Sequence, residues 1–386
     1  MSRHPSRRSV LAAIGLGTAG LAAGYTGTVT VPRLSPVWER WRSPLDGASL
    51  VGQSTTIADG RLFLTSDGRL LALDLDSGDP QWGHHVGDHL RHGVAAGDDA
   101  VYVGDQEIAA VGFDGEERWR VTLGRIPALD ERAILVATPV VADGRLFVTA
   151  DDGLVAFDAA AGGVLWTAPL DQRVEALATD GTSLYVALHR DDATGGFVRA
   201  FDPATGTRRW EATVEDDAIG FATGDALYCA VGDGGAGGEG VVALDFDDGD
   251  RRWTYDLPLT NGVTLHDETV YATAGAGSYN VGPHSGTPNG AVVALDAQTG
   301  EERWYTPAES YGQVAPGVTD DGVYVSTTVT GPDTDGAVIA YTADGEHRWT
   351  YPTGEDARPV TTPRVSDGTV YVAGGDAALA LDEREW

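Results

Sequence analysis

The chain is written in short apolar runs that alternate with polar positions, and the same run recurs eight times. Each copy opens on an acidic or Gly-containing turn and carries a Tyr or Phe near its centre: DGRLFL (59–64), DDAVYV (98–103), DGRLFV (143–148), DGTSLYV (180–186), GDALYC (224–229), DETVYA (267–272), DGVYV (321–325) and DGTVYV (367–372). A second run follows each and ends in Asp or its equivalent: LLALD74, AAVGFD114, LVAFD158, VRAFD202, VVALD245, VVALD296, VIAYT342 and ALALD382. Beyond seven of these stands a Trp, at 82, 119, 166, 210, 253, 304 and 349, spaced 37 to 51 residues apart. Runs this short, rich in Val, Leu, Phe and Tyr and bounded by Asp-Gly or Thr-Gly, are strand and hairpin chemistry. Helix is expected to be nearly absent outside the N-terminal segment.

A period near 45 residues predicts an array in which each unit is one supersecondary element. Here each unit reads as four strands: an inner strand before the Asp-Gly turn, the Tyr strand, the Asp-ending strand, and an outer strand carrying Trp. One such sheet cannot bury both faces, whereas eight packed around an axis bury them against each other, with Trp filling the wide outer gap between neighbours. The prediction is an all-β, eight-bladed propeller of four-stranded antiparallel blades over residues 37–386. In D-x-x-T-G, complete at Asp202–Gly206 and Asp296–Gly300, the carboxylate accepts turn amides and Gly takes the left-handed position, so these Asp residues are structural. The last copy ends without such a turn, while Val37-Trp38-Glu39-Arg40-Trp41 stands alone upstream. The 37–41 segment is therefore expected to supply the outer strand of the last blade and close the ring.

The Tyr strand, the A-x-D strand, the T-G turn and the Trp together resemble the repeat of the PQQ-binding-like propeller family, over roughly residues 37 to 386. That resemblance specifies fold more than activity, because the family includes quinoprotein alcohol dehydrogenases and non-catalytic members such as the assembly lipoprotein BamB. It implies two functions. The leading one is a non-catalytic binding or scaffold module for a protein or surface glycan; the alternative is a PQQ-dependent dehydrogenase holding PQQ with Ca2+ at the channel mouth. Against the dehydrogenase stand the short chain and the single Cys, which excludes the adjacent-cysteine disulfide common over the quinone. No convincing Glu, Asn and Asp set for calcium is evident; Glu175 and Asn261 qualify by position only.

Residues 1–31 change the picture of location. Ser6-Arg7-Arg8-Ser9-Val10-Leu11 precedes a charge-free stretch to Val31, which resembles a twin-arginine signal, although the pattern's usual Phe and Lys are missing. An ordinary secretory signal or an uncleaved membrane anchor is the alternative reading, since the stretch is just long enough to span a bilayer. Either way the chain is expected to be extracytoplasmic, secreted or tethered to the outer face of the membrane, and monomeric. Charge narrows the partners. With 58 acidic against 26 basic residues, every basic one Arg, the net charge is −32. Such a surface repels nucleic-acid phosphates, so nucleic acid is excluded, and membrane contact is expected only through the N-terminal segment. The acidity without Lys resembles that of haloarchaeal proteins and reads as solvation. The one internal thiol, Cys229 in A-L-Y-C-A-V, occupies an apolar strand position and is expected to be buried.

Chemistry must lie where the repeat breaks. Loops alternate between the propeller's two ends: the Asp-Gly and Thr-Gly turns share one uniform end, and the second-to-third loops and blade connectors share the other, where lengths vary. A localised function belongs on that variable end. Candidates for a ligand or partner are the polar residues at the starts of inner strands, Gln53, His92, Glu175, Asn261, Gln313 and Arg358, with Tyr279 and His284 from the longest insertion, 275–290. His84, His85, His89 and His92, in G-H-H-V-G-D-H-L-R-H, are read as the first blade connector and as candidate ligands of a divalent metal, with His189 or His284 as a further donor. A polar connector with no metal is the alternative.

Overall fold

A computed structural model of the chain describes residues 37–45, 55–87, 90, 92–150, 153–189, 195–232, 239–257, 260–275, 290–307, 311–312, 314–328, 336–354 and 361–383. The N-terminal 1–31 segment lies outside them. The described residues form eight antiparallel sheets packed as an eight-bladed propeller, and their only helical element is a single 3-10 turn, Leu123–Arg125. Seven blades are consecutive in sequence, with strands ordered inner to outer; blade 4, for instance, runs Val174–Thr179, Leu184–His189, Gly196–Phe201 and Arg208–Val214. In blade 7 the inner strand is in two pieces, Tyr311–Gly312 and Gly317–Thr319. Blade 8 is composite. Its three C-terminal strands, Arg364–Ser366, Thr369–Gly374 and Ala377–Asp382, are completed by Trp38–Pro44, which pairs antiparallel with the last of them from Trp38 opposite Asp382 to Pro44 opposite Ala377. The closing strand thus runs three residues past the segment its sequence suggested.

The hairpins follow from their turn residues. Asp59-Gly60, Asp143-Gly144 and Asp367-Gly368 hold positive φ at both central positions, the mirror-image turn whose twist matches paired strands. The Asp that ends each third strand works as read: Oδ1 of Asp202 accepts the amides of Ala204 and Thr205 and the Thr205 hydroxyl. Its other oxygen receives the guanidinium of Arg209, the residue before Trp210. The same Arg-to-Asp bond recurs at Arg118 with Asp114, Arg252 with Asp245 and Arg303 with Asp296. Consecutive strand residues face opposite sides. The Arg therefore locks its own blade's turn while the Trp turns to the neighbour.

That Trp is the clasp between blades. In all eight its ring lies 5.7 to 6.1 Å from the Tyr or Phe of its own second strand, as Trp210 does against Tyr185. In seven blades the indole N–H donates to a backbone carbonyl in the turn of the next blade: Trp41 to Leu75, Trp82 to Phe113, Trp119 to Ala159, Trp166 to Pro203, Trp210 to Phe246, Trp253 to Ala297 and Trp304 to Ala343. Tyr102, Tyr228 and Tyr371 add their hydroxyls to the carbonyls their blade's Trp already holds. The ring also lies flat on a turn Gly. At Gly206, with φ +72, a Cβ would stand 2.5 Å from Trp166, so both the backbone and the neighbour demand Gly. At the seam the carboxylate of Glu383 takes the carbonyl's place, accepting from Trp349 at 2.5 Å and from Tyr324 at 2.7 Å. Trp41, in the closing strand, grips blade 1 as Trp82, Trp119, Trp166, Trp210, Trp253 and Trp304 grip their neighbours. Cys229 is fully buried, and burial pushes its thiol well above the ordinary range.

Candidate functional site

Inner strands line the central channel, and each starts at the variable end. Two cavities meet along the axis. The one toward the variable end, about 750 Å³, is bordered by His92, Thr138, Arg173, Glu175, Phe221 and Arg364. The one toward the uniform end, about 590 Å³, shares Leu177, Phe221 and Arg364 with it and is otherwise walled mainly by small apolar and Thr side chains.

The mouth gathers one polar cluster, across the junction of blades 4 and 5. Glu175 is second in the inner strand of blade 4, His189 ends the next strand of that blade, and Asp217 immediately precedes the inner strand of blade 5. Nδ1 of His189 lies 2.8 Å from Oδ2 and 2.9 Å from Oδ1 of Asp217. The ligand atoms of all three residues fall within 4.8 Å of one another. Arg173 reaches in from the rim, with a terminal nitrogen 2.6 Å from Oε1 of Glu175. Burial pushes the Glu175 carboxyl above its ordinary value, with Arg173 pulling it back, Asp217 raising it further and His189 again opposing. Two carboxylates around one imidazole can take a divalent cation, or be joined through hydrogen bonds with no ion at all.

A second group of this kind among the described residues, His266, Asp267 and Asp320, sits on the uniform end. There Nε2 of His266 lies 2.7 Å from Oδ1 of Asp320, and both carboxylates are largely in water.

Of the predicted candidates, the structure brings His92 and Glu175 to the same cavity and sets half-buried Asn261 second in the inner strand of blade 6. Gln53, His89, Tyr279, His284, Gln313 and Arg358 lie outside the described residues. His84 and His85 are placed differently from the reading above. They are not in the connector but in the outer strand of blade 1, Pro80–His85, because that strand runs three residues beyond Trp82 to pair His85 with Arg69. As strand neighbours they project to opposite faces and cannot close on one ion. Nε2 of His84 lies 2.9 Å from a carboxylate oxygen of Glu117 in blade 2, which also takes Arg120. It is a contact between blades.

Sequence reasoning named Glu175 and His189 separately but missed Asp217 and Arg364. Asp217 sits in V-E-D-D-A, one of several acidic connectors. Arg364 sits in a stretch without the repeat's landmarks, and only the ring geometry shows that it faces the axis.

A closed eight-bladed ring with Trp clasps and a polar mouth defines a PQQ-type propeller. The chain belongs to the family described as Outer membrane protein assembly factor BamB, whose model matches residues 66–226 and 237–385. It is 28% identical to a Polyvinylalcohol dehydrogenase of a Pseudomonas species over 83% of this chain and 55% of that protein. It is 24% identical to the Outer membrane protein assembly factor BamB of Burkholderia pseudomallei over 76% of this chain and 63% of that one. The chain thus spans a little over half the length of these relatives. The crystal structure of BamB from Moraxella catarrhalis shares the fold, with a TM-score of 0.64 at 16% identity, covering 90% of this chain and 98% of that one.

Proposed function

We propose that this chain is an extracytoplasmic binding or scaffold propeller that presents its variable-loop end to a protein partner. The observation that carries the reading is the division of the ring. The Asp, Gly, Arg, Tyr and Trp of the repeat are consumed in clasps and turns, and the uniform end is finished with tight hairpins. What lies outside the repeat's own clasps and turns is the mouth, with Glu175, His189, Asp217 and Arg173, and the loops of unequal length around it. Membership of the BamB family supports a protein partner. On this reading the 1–31 segment exports the chain, through the twin-arginine route, and a surface glycan is an alternative occupant of the same end.

The test is comparative. Full-length protein and two variants, one with loop 275–290 shortened and one with a uniform-end hairpin altered by the same number of residues, are cross-linked in native envelopes. Loss of the cross-linked partner with the first variant only is the expected result; equal retention by both refutes the assignment of the binding end.

The dehydrogenase reading is favoured by the polyvinylalcohol dehydrogenase relative. The described residues do not fit a calcium-held quinone. Calcium takes oxygen donors, whereas the carboxylates gathered here come with an imidazole, and Arg173 already stands against Glu175. We therefore derive no step through PQQ. Quinone absorbance or dye reduction after adding PQQ and calcium to the purified protein would overturn this conclusion.

A further inference from the structure

Arg364 is the first residue of the inner strand of blade 8 and lines both cavities of the channel. Its Nε–H donates to the carbonyl of Thr55, 2.9 Å away, across the junction with blade 1. That bond fixes one edge of the guanidinium and leaves the N–H donors of its two terminal nitrogens uncommitted. Among the described residues lining the two cavities, the one carboxylate is Glu175, which stands at the mouth against Arg173. Among the described residues no carboxylate pairs with Arg364. Channel water touches it, but protein surrounds it, and the loss of bulk hydration alone holds its pKa below the ordinary range. Arg364 is exposed within the channel, so its two terminal nitrogens stand open to an anion there.

The surroundings specify the anion. Beside Arg364 the walls are Leu177, Phe221, Val263 and Leu265, with the hydroxyls of Thr264 and Thr362 among them. A fixed guanidinium presents parallel donors that match the two oxygens of a carboxylate. Apolar walls around one oriented charge are the usual build of a small-molecule site, and the cavity volumes are of that order. We propose that Arg364 is the receptor for the carboxylate of a small organic acid with an apolar or aromatic body, seated in the central channel. This site is independent of the scaffold reading and holds whether or not a protein partner docks at the mouth.

The probe is 4-fluorobenzoate, followed by 19F NMR titration of the full-length protein at fixed chloride, with neutral 4-fluorobenzamide as control. The expected result is saturable binding of the benzoate, at least tenfold weaker in Arg364→Gln, and none of the benzamide. Arg364→Lys, which keeps the charge and loses the fork, is expected to weaken binding several-fold and carries the test if the Gln variant fails to fold. No binding to the natural protein, equal binding of benzoate and benzamide, or unchanged affinity in either variant overturns the proposal. Binding of PQQ with none of the benzoate also overturns it, in favour of the quinone as occupant.

Discussion

Removing the indole of Trp41 tests how the ring is closed. The side chain is 8% exposed, the same as Trp210 in the middle of the ring, and each packs on its own blade's Tyr and on the turn Gly of the next blade. A buried Trp reduced to Ala costs about 3–5 kcal/mol in lost transfer energy and cavity formation. Unfolding entropy of about 2.1 cal/mol/K per residue, over a unit of roughly 350 residues, converts this to a fall in Tm of about 4–7 °C. Trp41→Phe keeps a ring over Gly78 and loses only the indole N–H. The Leu75 carbonyl still receives the Tyr371 hydroxyl, so the loss is about 1 kcal/mol, or between 1 and 2 °C. The assay is thermal unfolding followed by near-ultraviolet circular dichroism, with Trp210→Ala as the internal standard. If the closing strand is a full member of the sheet, Trp41→Ala and Trp210→Ala fall together. A Trp41→Ala shift below 1 °C beside a full-sized Trp210→Ala shift would refute closure by residues 38–44.

Three further outcomes follow from the same geometry. Gly206→Ala forces a Cβ 2.5 Å from the Trp166 ring at φ +72, so it should cost about 1–3 kcal/mol, read as a lower denaturant midpoint with unchanged slope; a neutral result would mean that the ring is not held on the turn. Acid should loosen the turns: hydrogen bonds from Arg303 and the turn amides lower Asp296 from 3.8 to about 2, and Asp74, Asp114, Asp202 and Asp245 move the same way. A carboxyl depressed on folding contributes stability that is present above the unfolded value and lost as pH falls through the folded one. Tm measured at constant salt should therefore drop between about pH 4 and pH 2, and a flat profile there contradicts the turn bonds. Cys229, fully buried with its thiol pushed up, should resist iodoacetamide in the native state and react once denatured; labelling of folded protein would place it wrongly.

The blade architecture was legible because it depends on residues whose local chemistry repeats. Asp-Gly turns, the Asp that accepts turn amides and the Trp at the outer edge each announce themselves within a few positions. The seam was legible for the same reason, as Trp38 and Trp41 were landmarks without a blade. The Arg that precedes six of the eight blade Trp residues was not read, since in Arg209 its carboxylate partner, Asp202, lies seven residues upstream, at a distance only the closed hairpin makes short. The candidate site was half legible. Glu175 stood out as a charge at an inner-strand start, but its grouping with His189 and Asp217 joins two blades, and spacing within one repeat carries no record of that. His84 and His85 misled because an outer strand has no punctuation at its far end: nothing in W-G-H-H-V-G shows that pairing with Arg69 carries the strand through His85.

The composite eighth blade gives the molecule a back and a front. Trp38 enters the sheet opposite Asp382, at the uniform end, and the closing strand then climbs toward the mouth. Both ends of the ring-forming chain therefore leave from the same rim, side by side, on the side opposite the channel opening. Trp38 and Asp382 thus mark the base of the ring, whereas Glu175 and Arg173 mark its lip.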